Sequence, residues 1–97
     1  MNDFSLFVTY VALPGCREKF LREMVTRGIL DAIRQEDGCL CYDYYLSVEE
    51  ENTILLIERW ASEAHQQKHM VSPHMADLRA LKGELIADTQ LRRMTLD

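Results

Sequence analysis

Apolar positions along the chain follow two different periods. From Phe4 to Leu13 almost every residue is apolar: Phe4, Leu6, Val8, Tyr10 and Ala12 on one side, Phe7, Val11 and Leu13 on the other. That pattern predicts a strand buried on both faces, and Pro14-Gly15 ends it in a turn. Leu21, Met24, Val25, Gly28, Ile29, Ala32 and Ile33 then recur at helical spacing, opposite Arg22, Glu23, Arg27, Asp31, Arg34 and Gln35. A single amphipathic helix is predicted, stopping at Gly38 after Glu36 and Asp37.

Alternation returns at Cys39–Ser47, with Leu40, Tyr42, Tyr44 and Leu46 on one face and Cys39, Cys41, Asp43 and Tyr45 on the other. A charged connection, Val48–Asn52, leads to a third strand over Thr53–Trp60, where Ile54, Leu56, Glu58 and Trp60 alternate with Leu55, Ile57 and Arg59. Ser62 followed by Glu63 reads as an N-cap and first-turn acid. The short helix they open runs to about Val71. Ser72-Pro73 breaks it and starts another, since proline suits a first helical turn, and that helix carries Met75, Leu78, Leu81 and Leu85. Ile86–Thr95 is predicted as a last strand, diluted by Asp88, Gln90 and two arginines.

The order is β-α-β-β-α-β, the ferredoxin-like split βαβ arrangement, an α+β fold with an antiparallel sheet. The 97 residues form one domain, 1–97. Helices on one side leave the other face of the sheet bare. Strands one to three are apolar on both faces, so the bare face is predicted to pack on a second copy in a homodimer. Left exposed, such a patch invites aggregation.

Composition adds exclusions. A net charge of −5, with scattered Lys and Arg, argues against nucleic acid or an anionic membrane surface as partner, because both require a basic face. No stretch approaches the roughly 18–20 apolar residues of a membrane span, and Met-Asn-Asp-Phe-Ser lacks the basic start and apolar core of a signal peptide. Cys16, Cys39 and Cys41 are odd in number and lack metal-type spacing. They read as reduced thiols in a cytoplasmic protein.

Candidate chemistry gathers in the second half of the chain. His65 and His69 are spaced i, i+4 as zinc ligands can be, but no third ligand is fixed by sequence, and Gln66, Gln67 and Lys68 make the segment a polar helix face; no metal is assigned. A helix break separates His69 from His74 and turns both toward one spot, where either can move protons; His74 also suits a structural place at a helix start. Glu58 lies beside apolar neighbours that would raise its pKa, or it is a salt-bridge partner at a strand end. Trp60 fits a wall of a flat apolar pocket or a place in the core. Tyr42 and Tyr44 can offer hydroxyls to that pocket, or simply pack. No Gly-rich phosphate loop or Rossmann fingerprint is present.

Four segments together carry a resemblance: Pro14-Gly15 after the first strand, Glu36-Asp37-Gly38-Cys39-Leu40-x-Tyr42, Glu58-Arg59-Trp60 before Ser62, and His69-Met70-Val71-Ser72-Pro73-His74-Met75. In this order and spacing, along almost the whole chain, they resemble the antibiotic biosynthesis monooxygenase family. The resemblance implies a dimeric α+β barrel with a pocket between sheet and helices. It implies oxidation of a small aromatic quinol or phenol by dioxygen, with no cofactor. His69 or His74 would then be the base, Glu58 an orienting acid, and Trp60, Tyr42 and Tyr44 the substrate-binding wall. The haem-degrading branch uses an Asn on the first strand, where this chain has Thr9 and Tyr10 and Asn2 comes too early. Two alternatives stand beside the monooxygenase: an isomerase of a small phosphorylated dicarbonyl, with Arg59, Lys68 or Arg92 lining a phosphate pocket, and a dimeric binding protein without turnover.

Overall fold

A computed structural model describes residues 3–94; Asn2 and Thr95 lie outside it. The elements run β1 (Phe4–Ala12), α1 (Arg17–Thr26), α2 (Ile29–Arg34), β2 (Cys39–Leu46), β3 (Thr53–Trp60), α3 (Glu63–Met70), α4 (His74–Leu85) and β4 (Ile86–Met94). The sheet order is β2-β3-β1-β4, with every neighbouring pair antiparallel. This is the α+β ferredoxin-like arrangement. Among the described residues no helix is long and apolar enough to cross a membrane.

One face of the sheet meets the helices. Leu6, Val8 and Tyr10 of β1 and Ile54, Leu56 and Trp60 of β3 join Phe20, Met24, Ile29, Ile33, Leu78 and Leu81 in one buried cluster. Strict alternation along β3, where every second residue from Ile54 to Trp60 is buried, is what a strand with one covered face requires. The open face mixes half-buried Phe7, Leu55 and Ile57 and exposed Val11 and Tyr45 with Thr9, Asp43, Thr53 and Arg59.

Two local features depart from the sequence pattern. The helix expected as one piece is two, because Gly28 adopts a left-handed φ of 73° between α1 and α2. Glycine takes that conformation without the Cβ clash other residues meet. The break resets the helical phase: Phe20, Met24, Ile29, Leu30 and Ile33 are buried, while Val25, expected on the stripe, is 61% exposed. In β2 the register with β3 shifts between Cys39 and Cys41. The irregularity flips the strand's start, so Cys39 packs against the core and Leu40, expected beside Tyr42, is 53% exposed.

Candidate active site

Glu36 follows α2 in the connection to β2, where Cys39 N–H donates to its carbonyl at 3.1 Å. Gly38 then turns the chain at a φ of +80°, and a Cβ there would lie 2.3 Å from the His65 ring. Its carbonyl accepts from Ala61 N–H at 2.8 Å, which ties this turn to the end of β3. Ser62 caps α3 by accepting from His65 N–H at 3.3 Å. His69 lies in the last turn of α3 and is 1% exposed. Ser72, in the break, donates its hydroxyl to the His69 carbonyl at 2.6 Å and sits 3.2 Å from His74 Nε2.

These segments converge on one carboxylate oxygen. Glu36 Oε2 is 2.8 Å from His69 Nδ1 and 2.7 Å from His74 Nε2. A carboxylate only accepts hydrogen bonds, so each ring supplies an N–H to it. In its neutral form His69 therefore carries its proton on Nδ1, and Nε2 keeps its lone pair. Among the described residues Nε2 has no hydrogen-bond partner. The ring stacks on Trp60, with centroids 4.6 Å apart and planes at 34°, and faces Tyr42 at 5.7 Å.

Trp60 is fully buried and donates its indole N–H to Glu58 Oε1 at 3.0 Å. Burial pushes the Glu58 carboxyl above the usual range, and the indole N–H offsets part of the rise. Burial likewise raises the phenols of Tyr10, Tyr42 and Tyr44, so all three are neutral donors at physiological pH. Among the described residues the Tyr44 hydroxyl, close to that of Tyr42, is buried without a partner in hydrogen-bond geometry, a costly arrangement unless something bonds to it. Lys82 holds its ammonium 4.9 Å from the centroid of the Tyr10 ring. Burial lowers its pKa, and Glu58 opposes that shift.

Of the residues singled out from sequence, His69, His74, Trp60, Tyr42 and Glu58 fall into one connected set. Tyr44 joins through its ring, 5.9 Å from that of Tyr42. The histidine pair at i, i+4 does not act together: His65 Nδ1 bonds Ser62 Oγ at 2.7 Å, and its Nε2 lies 3.3 Å from Asp37. Glu36, which joins the two histidines, has no chemical role in the sequence reading, where it stands at the helix stop and in one of the four segments that carry the resemblance. It stands 33 residues from His69 and 38 from His74, so no local spacing signals the contact. A groove of about 220 Å³ runs along the start of β2, lined by Arg34, Cys39, Leu40, Cys41, Tyr42 and Asp43. Tyr42 is shared between the groove and the His69 site.

The family profile described as Antibiotic biosynthesis monooxygenase matches residues 4–81. The chain is 34% identical over 74 residues to the Bacillus subtilis protein named "Putative monooxygenase YcnE", a match spanning 76% of each. The solved structure of Rv0793 from Mycobacterium tuberculosis superposes with a TM-score of 0.82 at 29% identity, covering 98% of this chain and 96% of that one. PA3566 from Pseudomonas aeruginosa has the same fold, with a TM-score of 0.87 at 24% identity over 100% of this chain and 96% of that one. With this fold and a profile match over most of its length, the chain belongs to the antibiotic biosynthesis monooxygenase family.

Proposed function

We propose that this protein is a cofactor-independent monooxygenase that oxidises a small quinol- or phenol-type substrate with dioxygen, acting as a cytoplasmic homodimer. Family membership supports the reaction class. The observation that carries the mechanism is the Glu36–His69 bond, 2.8 Å at Nδ1, which leaves Nε2 as a free acceptor beside Trp60 and Tyr42.

In this reading His69 Nε2 takes the phenolic proton, and the electron-rich phenolate reduces dioxygen. One oxygen atom becomes a ring carbonyl. The other leaves as water with two hydrogens of the substrate, so electrons and atoms balance without a further reductant. Glu36 holds the imidazole in the required tautomer and stabilises the imidazolium that forms, as a buried carboxylate does for other catalytic histidines. His74, with 22% of its side chain exposed, donates to the same oxygen and helps hold the carboxylate against His69. Tyr42, which also lines the groove, supplies flat apolar surface, Trp60 backs the His69 ring, and the Tyr44 hydroxyl, without a partner among the described residues, offers a donor to a substrate oxygen. Glu58 fixes the indole of Trp60 through its N–H.

The test is oxygen uptake by purified protein across a panel of quinols and anthrone-like phenols, with His69→Ala as control. Uptake that depends on His69 supports the reading; no uptake with any member overturns it. Tight binding of an aromatic without turnover would instead identify a binding protein. The isomerase alternative needs a phosphate cradle, yet Arg59 and Arg92 lie on the strand face away from the helices and Lys68 is exposed on α3.

A further inference from the structure

The Glu36, His69 and His74 donors have a second capacity. We propose that they form a binding site for a divalent transition metal of the zinc class, and that the bound ion silences His69 as a base. Glu36 Oε2, His69 Nδ1 and His74 Nε2 all lie within 4.8 Å of one another. Two imidazoles and a carboxylate are a ligand set suited to Zn²⁺, Co²⁺ or Fe²⁺ and poorly suited to Mg²⁺ or Ca²⁺, which favour all-oxygen shells. Three protein ligands leave a coordination position for water.

The site is held in place before any ion arrives. The donors come from the α2–β2 connection, the end of α3 and the start of α4. His69 is fixed by its stack on Trp60 and by the Ser72 hydroxyl on its carbonyl. The carboxylate oxygen already stands 2.8 and 2.7 Å from the two nitrogens. Around a tetrahedral ion with metal–nitrogen bonds of about 2.0–2.1 Å, the two nitrogens stand roughly 3.3 Å apart. From the widest spacing of 4.8 Å that is a shift of about 1.5 Å, which falls to the partly exposed His74 ring. The ion takes the place of the two ring protons that now face Glu36, and in each neutral ring that proton moves to the other nitrogen.

Occupancy alters the chemistry of the buried ring. With Nδ1 on the metal, the remaining proton of a neutral His69 must sit on Nε2, which changes from acceptor to donor. The silencing rests on the monooxygenase reading; the metal site does not.

Protein freed of tags and stripped with a chelator is titrated with ZnCl₂ by calorimetry, then with CoCl₂ while the visible spectrum is followed. One ion per chain is expected, with no saturable heat from MgCl₂. His74→Ala and Glu36→Gln should each weaken zinc binding by about 100-fold, with circular dichroism confirming that both variants fold. His65→Ala, outside the site, should bind as the parent does. Absence of saturable zinc binding, binding retained in both site variants, or binding lost in His65→Ala overturns the site. Nitrogen-15 spectra of the histidine rings report silencing without substrate: zinc should convert His69 Nε2 to the protonated form, and an unprotonated Nε2 in the zinc complex overturns it. Oxygen uptake by the stripped protein is a separate assay, so failure of either idea leaves the other standing.

Discussion

At the scale of single residues, environment separates side chains that look alike in sequence. Cys39 is pressed into the core edge by the irregularity in β2, and burial pushes its thiol to about 11. From an ordinary value near 9, that reduces the thiolate at pH 8 by about 100-fold. Cys39 should alkylate about 100-fold more slowly than a free thiol, measured residue by residue with iodoacetamide and mass spectrometry. Glu58 gives a pH-dependent test. Its folded pKa is raised above the ordinary 4.5 by burial, so its contribution to stability is complete below about pH 4.5 and lost as pH rises through the raised value. Glu58→Gln keeps an acceptor for the indole N–H and removes the charge. Its melting temperature should therefore gain on the parent between about pH 4 and pH 7; a gap independent of pH would contradict the raised pKa. Glu36→Ala should lower kcat for oxygen uptake by roughly 10- to 100-fold, because His69 loses the group that sets its tautomer.

At the scale of elements, glycines decide where chain direction changes. Gly28 and Gly38 both have left-handed φ, but a Cβ at Gly28 meets nothing within 4 Å while one at Gly38 runs into the His65 ring. Gly28→Ala should cost about 1 kcal/mol, the conformational penalty alone. Gly38→Ala should cost more, roughly 2–4 kcal/mol, since strain and displacement of His65 add. Denaturant unfolding of the two variants checks the order. Ser62 was legible as a helix start because capping is local chemistry. The split at Gly28 was not, because a glycine inside a continuous apolar stripe is also compatible with one unbroken helix.

For the whole molecule, the proposed dimer rests on the open sheet face. Phe7, Leu55 and Ile57 remain only half-buried there, with Val11 and Tyr45 exposed. No described helix lies over them. Packing of that face on a second copy is part of the proposed function. Ile57→Arg, in the middle of β3, should convert the dimer to a folded monomer by light scattering, since an unpaired buried cation opposes association. A dimer unchanged by this substitution would place the contact elsewhere.

The sequence by itself determined the faces of β1 and β3, the order of strands and the helix break between His69 and His74, because alternation, capping and proline act over a few residues. It also carried the family resemblance. Tertiary structure decided which residues meet. Glu36 and His69 come together only when α3 packs behind the β3 end near the turn at Gly38. The same packing separates His65 from His69 and seats Trp60 in the core, against the imidazole. Contacts across more than thirty positions depend on how layers stack, and no periodicity along the chain records that.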